Sequence, residues 1–109
     1  GTGGSMDAQL KKGVLELCLL QCLHKGEQYG YDIIQQMHRY FPDVMESTFY
    51  AVLRRLARDG LAETYRGEIS NGPARKYYRL TPAGEVRLAS LQADWQTLGE
   101  IVASLREDR

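Results

Sequence analysis

Between Leu10 and Leu23 the chain places apolar residues at Leu10, Val14, Leu15, Leu17, Cys18, Leu19, Leu20, Cys22 and Leu23, so a helix through this stretch is apolar around almost its whole circumference. Such a helix cannot lie on a surface and must be covered on two sides. A chain of 109 residues, 43% hydrophobic and 26% charged, has room for one small domain with a modest core. One side of the helix can pack on neighbouring helices, and the other calls for a second subunit. Gly26 ends the helix in a loop, Lys25-Gly26-Glu27-Gln28. Glu16 and Gln21 interrupt the apolar run, which is too short to span a bilayer, and no signal peptide follows Met6. A cytoplasmic protein without membrane contact is expected. Residues 1–5 read as an expression-tag remnant. Cys18 and Cys22, one turn apart, read as buried small hydrophobes of a reducing compartment.

A second helix is expected from about Tyr29-Gly30-Tyr31-Asp32 to about Phe41, because Pro42 disfavours helical geometry in the residue before it. Ile33, Ile34, Met37 and Phe41 supply its buried face. A short link, 42–46, leads to a third helix in which Phe49, Val52, Leu53 and Leu56 recur at i, i+3, i+4 and i+7. Its far side carries Ser47, Ala51, Arg54, Arg55 and Arg58, with Thr48 and Tyr50 at the flanks. Ser47 is the expected N-cap and Gly60 the expected residue past the C-terminus. Two short helices in tight succession, the second with small, hydroxyl and arginine residues outward, form a helix-turn-helix of the kind a DNA major groove admits.

From Leu61 the period changes. Residues 61–66 and 75–80 are expected strands, separated by the turn-rich Ser70-Asn71-Gly72-Pro73. In the second strand Arg75, Tyr77 and Arg79 alternate with Lys76, Tyr78 and Leu80, so each face carries an aromatic and a base. A hairpin placed here is a wing, with Arg75, Lys76, Tyr77 and Tyr78 available to phosphates. The formal net charge is zero, yet by segment it is −2 for residues 6–46, +4 for residues 47–82 and −2 for residues 83–109. A local basic patch on a neutral chain is the electrostatic footprint of phosphate binding. It argues against the alternative of a winged-helix protein-interaction module, which needs no cations on both helix and wing.

Thr81 and Pro82 open the last helix as N-cap and N1 residue. Leu88, Leu91, Trp95, Leu98, Val102 and Leu105 then follow at spacings of 3, 4, 3, 4 and 3, a heptad seam that asks for a partner surface, most simply a second copy of the chain. No enzyme constellation emerges. Cys18, Cys22, His24 and His38 fit no zinc finger or ribbon spacing, the glycines of 67–72 lack a phosphate-loop lysine, and no cofactor is implied.

Three blocks carry a resemblance. Tyr29-Gly30-Tyr31-Asp32-Ile33, the stretch 47–56 with Asp59-Gly60-Leu61, and the stretch 72–84 resemble, in the same order, the second helix, recognition helix and wing of the PadR family of bacterial transcriptional regulators. Ala51 stands where many members carry proline, and Phe49 where leucine is common. The resemblance implies a mainly α fold with a small β-hairpin: a winged helix-turn-helix over residues 6–81 and a dimerisation helix over residues 82–109. It also implies a homodimeric repressor on a palindromic double-stranded operator, with Ser47, Thr48, Tyr50, Ala51, Arg54, Arg75, Lys76, Tyr77 and Tyr78 at the DNA. The short C-terminal helix is similar to that of a subfamily in which some members bind flat aromatic drugs at the dimer interface. That implies an aromatic effector near Trp95, Leu91, Val14 and Leu10. Against this stands the reading of Trp95 as a packing anchor of the dimer and nothing more.

Overall fold

The computed structural model describes residues 6–66 and 76–108. Its elements follow as α1 (Ala8–His24), β1 (Gln28–Tyr29), α2 (Gly30–Tyr40), α3 (Glu46–Arg58), β2 (Ala62–Arg66), β3 (Lys76–Leu80) and α4 (Pro82–Glu107). The fold is mainly helical with a small antiparallel sheet, as the sequence led one to expect.

The start of α1 is capped by Asp7, whose carboxylate accepts from the backbone N–H of Gln9 at 2.9 Å and of Leu10 at 3.2 Å. Leu15, Leu19, Leu20 and Leu23 are buried, and the helix touches α2, α3, α4 and β3. Its other side is covered less completely. Val14, Cys18 and Cys22 are half-buried, which corrects the expectation of buried thiols. The reason is that the first helix has more apolar circumference than its own chain can cover.

α2 stops before Pro42 as expected, with Phe41 already out of helical geometry and folded into the core beside Ile33, Ile34 and Met37. α3 begins earlier than the capping argument placed it. Its N-cap is Met45, which makes no side-chain cap, and Glu46 occupies the first turn, where a carboxylate opposes the helix dipole favourably. Ser47 is therefore inside the helix, its hydroxyl free of capping duty. At the other end Gly60 adopts φ 77°, the left-handed conformation expected of it.

The sheet has three strands in the order β1-β3-β2, all antiparallel. β1 was not foreseen, because two residues are too few to carry a period. It pairs Gln28 with Tyr78 and Tyr29 with Tyr77, and so ties the start of the helix-turn-helix to the wing. Side chains alternate across β3. Tyr78 points into the core at 1% exposure, while Tyr77 stacks between Tyr29 and Tyr65 with ring centroids 3.9 and 5.2 Å away.

Thr81 caps α4 as expected, its hydroxyl accepting from Gly84 N–H at 3.0 Å and donating to the Gly60 carbonyl at 2.7 Å. Gly84 then meets the backbone carbonyl of Leu61 so closely that a Cβ would collide with it, and with Leu80 Cδ2 at 2.9 Å. The first turn of α4 is thus pressed onto the α3–β2 corner. Leu88 is 3% exposed and belongs to the core of its own chain, which corrects its place in the heptad seam. Leu91 packs partly against that core. Beyond it Trp95, Leu98, Ile101, Val102 and Leu105 are exposed along a helix whose 26 residues span about 39 Å.

Candidate nucleic-acid interface and adjoining cleft

The placement of α3 follows from its division into two faces. Phe49, Leu53 and Leu56 are fully buried, which leaves Ser47, Thr48, Ala51 and Arg54 exposed together on the outer side. Tyr50 lies at the boundary, half-buried, and burial followed by the nearby Glu46 carboxylate pushes its phenol above the usual range. A neutral hydroxyl that both donates and accepts is what the flank of the helix presents.

The cationic surface is narrower than the charge count implied. Arg55 turns away from the outer face and donates to Glu16 Oε1 at 2.9 Å. Arg79 forms two hydrogen bonds with Glu63, at 3.0 and 3.2 Å, and lies over the Tyr65 ring. Arg58 approaches Asp59 at 3.7 Å. Among the described residues of α3 and the wing, Arg54 and Lys76 have no ion-pair partner. Of the four wing residues assigned to phosphates, Lys76 and Tyr77 are part-exposed. Tyr78 is corrected: with its ring in the core, its hydroxyl cannot reach a phosphate. Arg75 lies outside the described residues, as does the turn 67–74.

In the sequence Glu16 stands out only as an interruption of the apolar run. Its side chain, 15% exposed, receives Arg55 of α3 on one oxygen and Arg87 of α4 on the other, at 2.9 and 2.8 Å. Burial works to raise its pKa, but the hydrogen bonds from Arg87 and Arg55 outweigh it and hold the carboxyl below its ordinary value. A single acid inside a run of leucines was the available signal, since a carboxylate there must be paired.

On another side of α1 a cleft of about 610 Å³ opens between α1, α2 and α4. Val14, Leu17, Cys18, Met37, Phe41 and Trp95 are among its walls. Of the four residues tied to an effector, Val14 and Trp95 come together here, whereas Leu10 is exposed on the first turn of α1 and Leu91 packs against the core. Both thiols are held above their usual pKa, Cys18 by burial and then by Cys22, and Cys22 by burial against the opposing pull of Lys25. Of the residues weighed for zinc, His24 bonds Glu85 at 2.9 Å and His38 lies edge-on to Phe49.

A helical core whose third helix turns a polar face outward, followed by an antiparallel wing, defines a winged helix-turn-helix regulator. The chain belongs to the PadR-like family of transcriptional regulators, which matches residues 19–90. It is 31% identical over 93 residues to the transcriptional regulator Rv3488 of Mycobacterium tuberculosis, spanning 85% of this chain and 83% of that protein. Among solved structures, a PadR-like regulator from Bacillus cereus superposes with a TM-score of 0.79 at 32% identity, covering 94% of this chain and 100% of the other. A PadR-like transcription factor from Bacteroides fragilis reaches 42% identity and a TM-score of 0.72, covering 90% and 95%. No helix among the described residues is long and apolar enough to cross a membrane.

The Glu16 tie has a pH signature. A depressed carboxyl pKa contributes stability that is present above the unfolded-state value and is lost as pH falls through the folded-state value. Glu16→Gln should therefore lower stability by about 1 kcal/mol at pH 7, a charge-assisted bond discounted for the partly exposed arginines. The deficit should close in acid, below the ordinary carboxylate range. Urea denaturation at pH 7 and pH 3 checks this, and an equal deficit at both would show that the ionic bonds contribute nothing.

Proposed function

We propose that this chain is a homodimeric DNA-binding repressor that sets α3 in the major groove of a palindromic operator and its wing on the flanking phosphates. The observation that carries the reading is the outward set Ser47, Thr48, Ala51 and Arg54, presented by a helix whose opposite side is fully buried. Among the described residues no side chain bonds to that set. Tyr50 would bond from the flank, and Lys76, Tyr77 and the neighbouring Arg75 would contact the backbone. Two-fold symmetry would separate the half-sites by about 34–36 Å.

Arg54→Ala is expected to reduce specific binding by about 1–3 kcal/mol and to relax preference at one operator position. Lys76→Ala should weaken binding to all sequences alike and lower the salt slope by about one unit. Electrophoretic shifts at several salt concentrations, on operator fragments selected with the protein itself, separate the two effects. Unchanged affinity in both variants would sink this placement of the DNA.

The exposed stripe Trp95, Leu98, Val102 and Leu105 supports pairing of two α4 helices, with Ile101 beside it. Sedimentation at micromolar concentration should show a dimer for the parent chain and a monomer for Leu98→Glu. A parent that sediments as a monomer removes the dimer.

The cleft beside Trp95 supports release of DNA by a flat aromatic effector, whose faces an indole can stack. Trp95 is the single tryptophan, so its emission should be quenched by planar aromatic compounds, with the same compounds weakening the operator complex. A broad panel that leaves the emission unchanged would eliminate the effector.

A further inference from the structure

Three sulfur-bearing side chains line the cleft. Cys18 and Cys22 stand one turn apart on α1 and both line it, as does Met37 of α2. The Cys22 Sγ is 3.8 Å from the Met37 Sδ. Residues four apart on a helix have Cβ atoms about 5–6 Å from one another, and metal–thiolate bonds of about 2.3 Å each can bridge such a pair. We propose that Cys18, Cys22 and Met37 form a binding site for a soft cation of low coordination number, copper(I).

The donor set selects the ion. Thiolate and thioether together favour copper(I), while zinc takes four donors and accepts nitrogen or oxygen. No three His, Cys, Asp or Glu side chains are grouped for a metal among the described residues. The nearest imidazole along the chain, His24, is engaged by Glu85. Harder or more highly coordinated ions therefore lack ligands here, whereas two thiolates and a thioether complete a three-coordinate soft site. On binding, each thiol gives its proton to solvent and each sulfur donates a lone pair to the metal, with no change of oxidation state. Two thiolates and one monovalent cation leave a single negative charge. Lys25 lines the same cleft and offsets it. All three ligands come from one chain, so the site requires neither the dimer nor the aromatic effector.

The test is an anaerobic titration of the reduced full chain with copper(I) against a chromophoric copper(I) chelator, with Trp95 emission recorded in parallel. One ion per chain should be withheld from the chelator, with quenching of Trp95. Cys18→Ser and Cys22→Ser should each lower affinity at least about 100-fold, and Met37→Leu about tenfold, while His24→Gln leaves it unchanged. Zinc(II) in excess should not displace the copper. Failure of the parent chain to compete, parent-like affinity in either serine variant or in Met37→Leu, or displacement by zinc would overturn the site. Should the serine variants fail to fold, alkylation of the parent chain decides: copper(I) must protect both thiols, as read by intact mass, and unprotected thiols refute the assignment. Because the probe is the metal alone, loss of this site would leave the aromatic effector and the DNA reading standing.

Discussion

The burial of α1 is the constraint to which the other elements answer. Its leucines fill the centre of the domain, and each fully buried leucine side chain is worth about 1.5–3 kcal/mol over leaving it in water. α2 and α3 cover one part of it with Ile33, Ile34, Met37, Phe49 and Leu53, the sheet covers another with Tyr78, and α4 closes with Leu88. The orientation of α3 follows from this. With three of its apolar side chains committed to the core, its polar side can only face outward.

One carboxylate polarises this apolar scaffold. Glu16 costs free energy where it stands unless both its oxygens are met, and the two guanidiniums that meet them come from α3 and α4. The third helix and the projecting α4 thus share an acid on α1. A displacement of α4 relative to α1 must either draw the Glu16 side chain after Arg87 or leave its carboxylate with Arg55 alone.

What was legible depended on how each feature writes itself into the chain. The apolar period of 3.6 located α3 and its buried face, since Phe49, Leu53 and Leu56 had no other face to share. Thr81 and Pro82 marked the start of α4 through local chemistry alone. Alternation in β3 was visible, but it does not say which face is inward; only the packing of α1 shows that Tyr78 is the core residue and Tyr77 the outer one. The heptad pattern likewise records that Leu88 is covered without recording by what. Ser47 failed as a cap because competing backbone turns start the helix at Glu46, a choice settled by the link from Phe41. Paired charges were the least legible. Arg55 and Arg79 count as cations in any segment sum, and only contacts between elements show that Glu16 and Glu63 have neutralised them.

That neutralisation bears on why the tail is apolar. In the proposed reading each phosphate contact contributes a slope of about −0.9 to the salt dependence of DNA affinity, and Arg55 and Arg79, tied to Glu16 and Glu63, contribute little to that grip. Adding arginines would strengthen that grip, but equally for every sequence. Joining two heads instead multiplies affinity only where both meet their half-sites together, which is where the sequence is right. The apolar stripe on α4 and the sparse charge of α3 therefore answer the same requirement in the proposed reading: the fewer cations each head keeps free, the more the discrimination rests on holding two heads at a fixed spacing.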